Sequence, residues 1–450
     1  MLRLFAITVC LIFTTLSLAA QRIATKEAAL PKQELRAAWI ATVLNIDYPR
    51  TPSTNPIALK EQYRLLLDQL EDLGLNTVIV QVRPAADAFY PSQYAPWSAY
   101  LTGQQGRAPQ DDFDPLAFML EETHRRSMEF HAWINPFRAS MNLDTSSLFL
   151  THPVHQHPDW LVSYGKKMYF NPGLPEVRDH LVEVVGELVD NYNLDGIHID
   201  DYFYPYPEAG LPFPDSTTYR FYGSQTHPSI ESWRRSNTNE LMRRLHERIK
   251  ESKPHVQFGV SPFGVWRNKD QDPLRGSDTR ASVTSYDDLY ADILHWIDRG
   301  WIDYVMPQLY WNIGYEPADH ATLVQWWSQH ARDVQLFIGH GAYKVGNNAE
   351  KAWHDPAEIP RQIDLNRRNF KTQGSAFFSA KSLLANPLHL KDSLRHYYRT
   401  TALWPERPEL EAPKLQPILL KRPRWRRDAV RLRWKANRDD LHAGRVPHYY

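Results

Sequence analysis

Short apolar segments alternate with amphipathic segments along most of the chain. Short runs that are apolar throughout or at alternate positions predict strands, and apolar residues every three to four positions predict helices. The runs predict strands at Leu35–Thr42, Thr77–Arg83, Glu129–Asn135, Gly196–Asp200, Val256–Ser261, Asp303–Gln308, Leu336–Gly341 and Ser375–Phe378. The amphipathic segments predict helices at Leu59–Leu73, Pro115–Ser127, Pro175–Tyr192, Ser229–Ser252, Tyr286–Arg299, Pro317–Arg332, Pro356–Thr372 and Asn386–Leu403. Pro175 and Pro317 suit the first turns of their helices.

The repeated order of strand and helix predicts an α/β protein, and eight such units predict a (β/α)8 TIM barrel. The alternation excludes an all-β sandwich, and the count of eight favours the barrel over a doubly wound open sheet. Long segments follow several strands, whereas Gly74–Asn76 and Asn193–Asp195 are short connections into the next strand. We therefore expect long loops at the C-terminal face of the barrel, where barrel enzymes carry their active sites.

The first 20 residues read as a secretory signal peptide. Arg3 supplies a positive charge, residues 4–18 are mostly apolar, and small residues follow. Cys10, the single cysteine, lies in this run, so cleavage would leave a mature protein without disulfides. We expect a periplasmic or extracellular protein with no membrane span after cleavage; an uncleaved anchor is the alternative.

The composition changes again after Trp404, where Pro and Arg become frequent. One alternating segment, Asp428–Lys435, predicts a single half-buried strand, which cannot form a domain alone. The expected domains are a signal peptide (1–20), a linker (21–33), a barrel (34–404) and a basic Pro-rich tail with one strand (405–450).

The overall charge points away from nucleic acid. Lys and Arg together number 52 and so do Asp and Glu, which gives a net charge of zero. Such a balance provides no general attraction to a polyanion. Aromatic residues make up 12% of the chain, and aromatic faces are surfaces on which sugar rings pack.

The fourth predicted strand ends on two adjacent carboxylates, Asp200 and Asp201. Side chains alternate across a strand, so Ile197 and Ile199 share one face while His198 and Asp200 share the other. If the isoleucines pack under helices, Asp200 points to the inside at the carboxyl end of the strand. Acidic residues at that end favour a catalytic role, and a helix cap or turn is the structural alternative.

Polar and aromatic groups follow several other predicted strands and would meet at one mouth of the barrel. The candidate substrate-binding residues are Asn45, Asp47, Arg83, Asn135, Arg138, Tyr202, Trp266, Gln308, Tyr310, Trp311 and Tyr343. The chain has neither a Gly-rich phosphate loop nor a GxSxG elbow. Carboxylates for proton transfer, amides and Arg for hydroxyl groups, and aromatic rings for sugar faces indicate a carbohydrate site.

Four segments together resemble the glycosyl hydrolase-like 10 family of bacterial envelope proteins. They are LRAAWIAT (35–42), GIHIDDYFYP (196–205), VSPFGVWRN (260–268) and DYVMPQLYW (303–311). The resemblance spans about residues 35–400 and implies a TIM barrel that hydrolyses an amino-sugar glycan of the cell wall. It also implies a further β-module after the barrel, of which we expect only the first strand here.

The residues favour Asp200 as the nucleophile or as the carboxylate that stabilises an oxocarbenium ion, with Asp201 as the general acid/base. Adjacent strand residues normally diverge, so Asp201 can serve only if the chain bends at the end of the strand. Otherwise the acid comes from a loop, and the candidates are Asp47, Asp87 and Glu208. The segment is also similar to the strand-four motif of family-18 chitinases, but His198 replaces an Asp and Tyr202 replaces the catalytic Glu.

Two other classes of function compete with a carboxylate-based glycosidase. A metal-dependent hydrolase is suggested by His152, His155, His157 and Asp159, which are dense enough to gather around zinc. A non-catalytic glycan-binding barrel would keep the aromatic residues and use Asp200 only to accept hydrogen bonds from hydroxyl groups. The favoured interpretation needs no cofactor, takes a glycan as its partner, and leaves room for cell-envelope protein partners.

Overall fold

The computed structural model describes residues 30–407, 419–427 and 429–435. The chain divides into two units, residues 1–405 and 406–450. The strands of the first unit are β1 (Leu35–Ile40), β2 (Thr77–Arg83), β3 (Glu129–Ile134), β4 (Leu161–Tyr164), β5 (Lys167–Phe170), β6 (Gly196–Ile199), β7 (Gln257–Val260), β8 (Tyr304–Val305), β9 (Gln335–His340) and β10 (Thr372–Phe377). Apart from β4 and β5 they form one closed parallel barrel in the order β1-β10-β9-β8-β7-β6-β3-β2. The predicted (β/α)8 barrel is confirmed.

Helices surround the barrel in the order that the sequence predicts. The α-helices are α1 (Pro56–Glu71), α2 (Ala99–Thr102), α3 (Pro115–His124), α4 (Pro153–Gln156), α5 (Pro175–Asn191), α6 (Ser216–Tyr222), α7 (Ile230–Ser252), α8 (Ile293–Asp298), α9 (His320–His330), α10 (Glu358–Arg368), α11 (Ala380–Leu384) and α12 (Leu390–Tyr397). Short 3-10 helices lie at Val43–Asn45, Pro158–Trp160, Ala342–Lys344, Lys351–His354 and Pro387–His389.

Helix starts follow local capping chemistry. Pro175 occupies the first turn of α5, as predicted. The prediction for Pro317 is wrong, because the Asp319 side chain accepts a hydrogen bond from the backbone N–H of Thr322 and α9 begins only at His320. A capping carboxylate satisfies an N–H group that has no partner within the helix, so it fixes the start more strongly than a nearby proline does.

The barrel strands are buried on both faces, as parallel strands between helices require. Ile197 and Ile199 of β6 belong to the large apolar layer that includes the helices. Trp39, Trp133 and Tyr304 belong to a second apolar cluster, made largely by inward-facing strand residues. The predicted alternation of β6 is confirmed, and it directs the residues that follow the strand toward the mouth of the barrel.

The loop after β3 contains an antiparallel hairpin that the pattern of apolar residues does not predict. Strands β4 and β5 pair from Leu161↔Phe170 to Tyr164↔Lys167. The backbone of Arg138, early in the same loop, pairs with that of Tyr169. This pairing brings the hairpin next to the segment that carries Arg138.

The predicted signal peptide and most of the predicted linker (21–33) lie outside the described residues. Within the part of the chain that the structure describes, no helix is both long enough and apolar enough to cross a membrane.

The second unit contains a two-stranded antiparallel hairpin, β11 (Leu419–Arg426) and β12 (Ala429–Lys435). The alternating pattern predicts only one strand here, at Asp428–Lys435. Pro423, which has no N–H to donate, argues against a strand in the segment that forms β11. The structure accommodates this proline with a register shift between Lys421 and Arg424.

Candidate active site

A cleft of about 480 Å³ opens at the carboxyl ends of the barrel strands. It brings together eight of the residues predicted for the site, which are Asp200, Asp201, Arg138, Tyr202, Gln308, Tyr310, Trp311 and Tyr343. A pocket of this size that combines apolar walls with a few polar groups is typical of a ligand site.

Asp200 lies just after β6 and accepts hydrogen bonds on both carboxylate oxygens. Its Oδ2 accepts from Asn135 Nδ2 at 2.6 Å and from Trp133 Nε1 at 3.2 Å. Its Oδ1 accepts from the backbone N–H of Tyr202 at 3.2 Å. The neighbouring strand β3 and the turn after β6 therefore hold this carboxyl group in a fixed orientation.

The orientation of the Asn135 amide is set by a chain of hydrogen bonds. Gln81 Oε1 accepts from the backbone N–H groups of Thr42 and Val43, at 3.0 and 2.9 Å. Its Nε2 must then donate, and it does so to Asn135 Oδ1 at 2.6 Å. Asn135 is left with its Nδ2 directed at Asp200. All three partners of Asp200 are therefore donors, an arrangement that favours the ionised carboxylate.

Asp201 faces the same cleft because the chain turns after β6 ends at Ile199. Its Oδ1 accepts a hydrogen bond from Gln308 Nε2 at 3.0 Å, and Gln308 also donates to the Ser261 carbonyl at 2.9 Å. Its Oδ2 accepts from the hydroxyl of Tyr206. Burial holds the pKa of Tyr206 far above its usual value, so the phenol keeps its proton and can either donate to a carboxylate or accept from a carboxylic acid.

The two carboxyl groups titrate as a pair. Burial raises the pKa of Asp200 to about 7, with repulsion from Asp201 as the second cause. Burial also raises the pKa of Asp201, while Tyr206, Gln308 and Arg138 act in the opposite direction. Adjacent carboxyl groups that repel each other lose their protons in two separate steps. The pair therefore holds one proton close to neutral pH, which provides an acid and a base in one site.

Aromatic rings form much of the cleft wall. Tyr202 is 37% exposed and contacts Tyr206 edge-on, with 5.5 Å between ring centroids. Phe263 and Trp311 are 5.4 Å apart in a similar edge contact. Tyr343 lies against the ring of Tyr310 at 5.9 Å. Such a wall offers several ring faces against which pyranose rings can pack.

Two predicted binding residues after β1 serve the loops instead of the cleft. Asn45 Nδ2 donates to two backbone carbonyls, at 2.6 and 2.7 Å. Asp47 accepts from the N–H of Ala41 at 2.7 Å, the N–H of Lys381 at 2.6 Å and the hydroxyl of Ser379 at 2.8 Å. Asp47 therefore joins the loops after β1 and β10, and it does not line the cleft.

Three more predicted binding residues also lie outside the cleft lining. Asn135 is behind Asp200 and orients it. Arg83 is fully buried and donates from Nη1 to the Asn135 carbonyl at 3.2 Å. Trp266 is fully buried beside Trp326 and Tyr286, at centroid distances of 6.1 and 5.2 Å. The Trp266 carbonyl also accepts a hydrogen bond from the N–H of Tyr286, which holds this loop against the following segment.

The alternative acids named from the sequence are likewise outside the cleft lining. Asp87 is buried, accepts a hydrogen bond from the N–H of Ala85, and has its pKa raised to about 6 by burial. Glu208 is exposed next to the turn of the β4–β5 hairpin. The acidic residues that line the cleft are Asp200 and Asp201.

Comparison with known proteins identifies the chain. The family model described as Glycosyl hydrolase-like 10 matches residues 34–355. The chain belongs to this family. It is 51% identical to Glycosyl hydrolase YngK of Bacillus subtilis (strain 168) over 395 residues, which cover 86% of this chain and 77% of that protein. It is 40% identical to Glycosyl hydrolase DigH of Escherichia coli (strain K12) over 369 residues, which cover 77% and 83%. The protein is a glycosidase.

The fold agrees with a solved structure of low sequence similarity. The glycoside hydrolase domain of PgaB (BpsB) from Bordetella bronchiseptica superposes with a TM-score of 0.50 at 14% identity. The match covers 80% of this chain and 99% of that domain. This likeness concerns the barrel architecture.

Two histidines of the predicted metal-binding cluster, His152 and His157, have separate structural roles in this glycosidase. His152 Nδ1 accepts a hydrogen bond from the N–H of Val154 and caps helix α4. His157 stacks on Trp160 with 3.8 Å between ring centroids. Among the described residues, no group of three or more His, Cys, Asp or Glu side chains is arranged to hold a metal ion.

Several cleft residues are not among the candidate catalytic and substrate-binding residues predicted from the sequence. They are Trp39, Ala41, Val43, Leu44, Ile46, Gln81, Trp133, Met141, Lys167, Tyr206, Ser261, Phe263, Lys344 and Phe378. Tyr206 continues the aromatic run after Asp201 and could have been found from that run. Lys167 could not have been found without the β4–β5 hairpin, which carries it to the cleft.

Proposed function

We propose that this glycosidase hydrolyses the amino-sugar glycan strands of bacterial peptidoglycan, with Asp200 and Asp201 as the reacting carboxyl groups. The observation that carries this proposal is that two consecutive buried carboxyl groups face one cleft in different hydrogen-bonding environments. Most glycosidases use a pair of carboxyl groups, one protonated and one ionised, on either side of the scissile bond.

The hydrogen-bond partners support one assignment of the two roles. Asp200 has only donors around it, so it acts as the carboxylate that stabilises, or bonds to, the positively charged anomeric carbon. In the reacting state we place the shared proton on Asp201, because the Tyr206 hydroxyl can accept a hydrogen bond from a carboxylic acid as well as donate one to a carboxylate. Burial and repulsion from Asp201 raise the pKa of Asp200, so Asp200 must pass its share of that proton to Asp201 before the glycosidic bond breaks. Asp201 gives this proton to the glycosidic oxygen as the C–O bond breaks. Its carboxylate then takes a proton from the attacking water.

Two features support a glycan of the cell envelope. Packing of sugar rings against Tyr202, Trp311 and Tyr343 would place a chain of pyranoses along the cleft wall. The first 20 residues have the pattern of an export signal, so we also propose that the protein is secreted across the inner membrane. Mass spectrometry of the mature protein tests the second point, since export with cleavage predicts an N-terminus near residue 20.

The catalytic proposal is tested by incubating purified peptidoglycan glycan strands with the protein and measuring new reducing ends. Wild type should generate them, while Asp200→Asn and Asp201→Asn should lose activity by a factor of about 100 or more, as removal of a catalytic acid or base does. Asp112→Asn is the matched control, because this carboxylate is exposed and does not line the cleft. Circular dichroism establishes that each variant is folded.

The outcomes separate the competing functions. Strands that bind to wild type and to both variants without any new reducing ends would contradict the proposed reaction on this substrate. Loss of wild-type activity in excess chelator would point to a metal-dependent hydrolase. Full activity of both carboxylate variants would mean that residues other than Asp200 and Asp201 catalyse the reaction.

A further inference from the structure

Three cationic side chains line the same cleft as the two carboxyl groups: Arg138, Lys167 and Lys344. Among the described residues, none of the three has a carboxylate oxygen within 4 Å of its charged nitrogens. Two acidic residues, Asp200 and Asp201, line the cleft with these three cations, and the pair holds one proton near neutral pH. The cleft therefore has a net positive charge although the protein as a whole has none.

Arg138 is the most enclosed of the three. The residue is only 8% exposed, and its guanidinium lies over the ring of Tyr202 at 4.8 Å. Its polar contact is with the sulfur of Met141, 3.9 Å from Nη1. A thioether is a weak acceptor, so most of the guanidinium donors have no strong partner. Arg138 lowers the pKa of Asp200 and of Asp201 through its charge, but it makes no direct ion pair with either carboxylate. A buried cation without a direct ion pair is costly to keep, which favours a function for it.

Lys167 approaches from the hairpin above the cleft. It follows a tight turn in which Gly165 has φ +55°, and it lies two residues before Tyr169, whose backbone pairs with that of Arg138. Burial lowers the pKa of Lys167, and repulsion from Arg138 is the second cause. Glu208, which lies outside the cleft lining, acts in the opposite direction. Two cations are thus held close together on the cleft wall, an arrangement that an additional anion would stabilise.

Lys344 differs from the other two because it already has a partner. Its Nζ donates to the Tyr310 carbonyl at 2.6 Å. It contributes positive potential to the cleft but has fewer donors left for a ligand. Arg138 and Lys167 are therefore the two cations that have donors available for a ligand.

We propose that Arg138 and Lys167 form a subsite for a carboxylate carried by a sugar of the substrate glycan. This inference rests on the proposed function and specifies the chemistry of its substrate. One carboxylate has two oxygens, which can accept from the guanidinium and the ammonium at once in charge-assisted hydrogen bonds. A carboxylate suits the site better than a doubly charged phosphate, because the anionic member of the aspartate pair lies in the same cleft and repels negative charge.

Two kinds of sugar carry such a group: an amino sugar with an ether-linked lactyl carboxylate, and a uronic acid. In the first kind the carboxylate is free only where no peptide is attached through an amide. Both would present the same charge to Arg138 and Lys167, so the test includes both.

The test compares glycan strands with free lactyl carboxylates, the same strands after chemical reduction of the carboxylates to alcohols, and a uronic acid homopolymer. Binding is measured by calorimetry on the Asp201→Asn variant, so the result is independent of turnover. Wild type is assayed in parallel for new reducing ends. We expect the Asp201→Asn variant to bind one of the carboxylated glycans about 10- to 100-fold more tightly than the reduced strands.

Substitutions at two neighbouring lysines of the hairpin provide the test and its matched control. Adding Lys167→Met should remove most of this preference, whereas Lys167→Arg, which retains the positive charge, should restore it. Lys166→Met makes the same change in charge one residue away, on an exposed side chain that does not line the cleft, and should keep the preference.

The inference is overturned if reduced strands bind as tightly as both carboxylated glycans, or if Lys167→Met leaves the preference intact. Preference for lactyl strands assigns the carboxylate to the amino sugar, and preference for the homopolymer assigns it to a uronic acid. Cleavage of native and reduced strands at equal rates would contradict the carboxylate subsite but would agree with the proposed reaction. Binding that depends on the carboxylate, without any new reducing ends, would support the subsite but contradict the proposed reaction.

Discussion

Replacing Asn135 with alanine tests the roles of the two carboxyl groups most directly. Asn135 donates the shortest hydrogen bond that Asp200 receives from another strand, 2.6 Å to Oδ2, and the Gln81 amide fixes its orientation. That bond stabilises the ionised form of Asp200, so its loss must raise the pKa of Asp200. The proposed reaction needs Asp200 as an anion, and a higher pKa means that the anion forms only at higher pH.

The magnitude follows from the strength of a hydrogen bond to a charged group, about 1.5–3 kcal/mol. Since one pKa unit corresponds to about 1.36 kcal/mol, the pKa of Asp200 should rise by about one to two units. The acidic limb of the kcat/KM profile against pH should therefore move to higher pH by about one to two units. Trp133→Phe removes a longer bond of 3.2 Å and should move the same limb by less.

The assay is the release of reducing ends from glycan strands between pH 4 and 9 (roughly the range in which paired carboxyl groups titrate). Thermal unfolding accompanies it, because Asn135→Ala also leaves Gln81 Nε2 without its partner and should lower Tm. An acidic limb that stays in place in the folded variant, or that moves to lower pH, would refute the assignment of Asp200 as the ionised partner.

Four further outcomes are expected. Tyr206→Phe removes the hydroxyl that donates to ionised Asp201, so the pKa of Asp201 should rise and the alkaline limb of the pH profile should move to higher pH. Asp47→Asn replaces one acceptor oxygen in a buried set of three hydrogen bonds, so unfolding should become easier by about 1–3 kcal/mol while kcat is unchanged, as denaturant titration and kinetics will measure. Asp215→Ala leaves the buried guanidinium of Arg234 without its ion pair and should cost about 3–5 kcal/mol in the same titration. Excess chelator should leave the rate of release of reducing ends unchanged, since carboxyl acid/base chemistry uses no metal ion.

The barrel could be predicted because its signals are local and repeated. Strands such as β2 and β6 are short apolar runs between amphipathic segments, and burial between two layers selects for such runs. Elements fixed by single backbone positions were harder to predict. The helix predicted over Tyr286–Arg299 is shorter in the structure, where α8 begins only at Ile293. Tyr290 adopts φ +51°, which is not helical, and the Asp292 side chain caps the helix by accepting a hydrogen bond from the N–H of His295. The periodicity of apolar residues reveals neither feature.

The site could be predicted only as far as strand periodicity extends. Asp200 was placed correctly at the cleft because it continues the inward-facing register of β6. Gln308 and Tyr310, two residues apart after β8, also reach the cleft together, as alternation predicts. Trp266 lies six residues beyond the end of β7, in a loop, and its side chain is buried in the core. The alternation of side chains along a strand does not extend over such a loop, so it could not predict on which side Trp266 lies.

The histidine that distinguishes β6 from the chitinase motif has a physical role in this arrangement. His198 Nε2 accepts from Trp39 Nε1 at 3.2 Å, and since an indole can only donate, the ring proton must be on Nδ1, which donates to the Tyr304 hydroxyl at 2.8 Å. Burial lowers the pKa of His198, so the ring is neutral. A carboxylate at this position would add a third negative charge two residues before Asp200 and raise the pKa of the pair further. A neutral imidazole forms hydrogen bonds inside the barrel without adding charge, so Asp200 and Asp201 can share a single proton. One protonated and one ionised carboxyl group is the charge state that glycoside hydrolysis by two carboxyl groups needs.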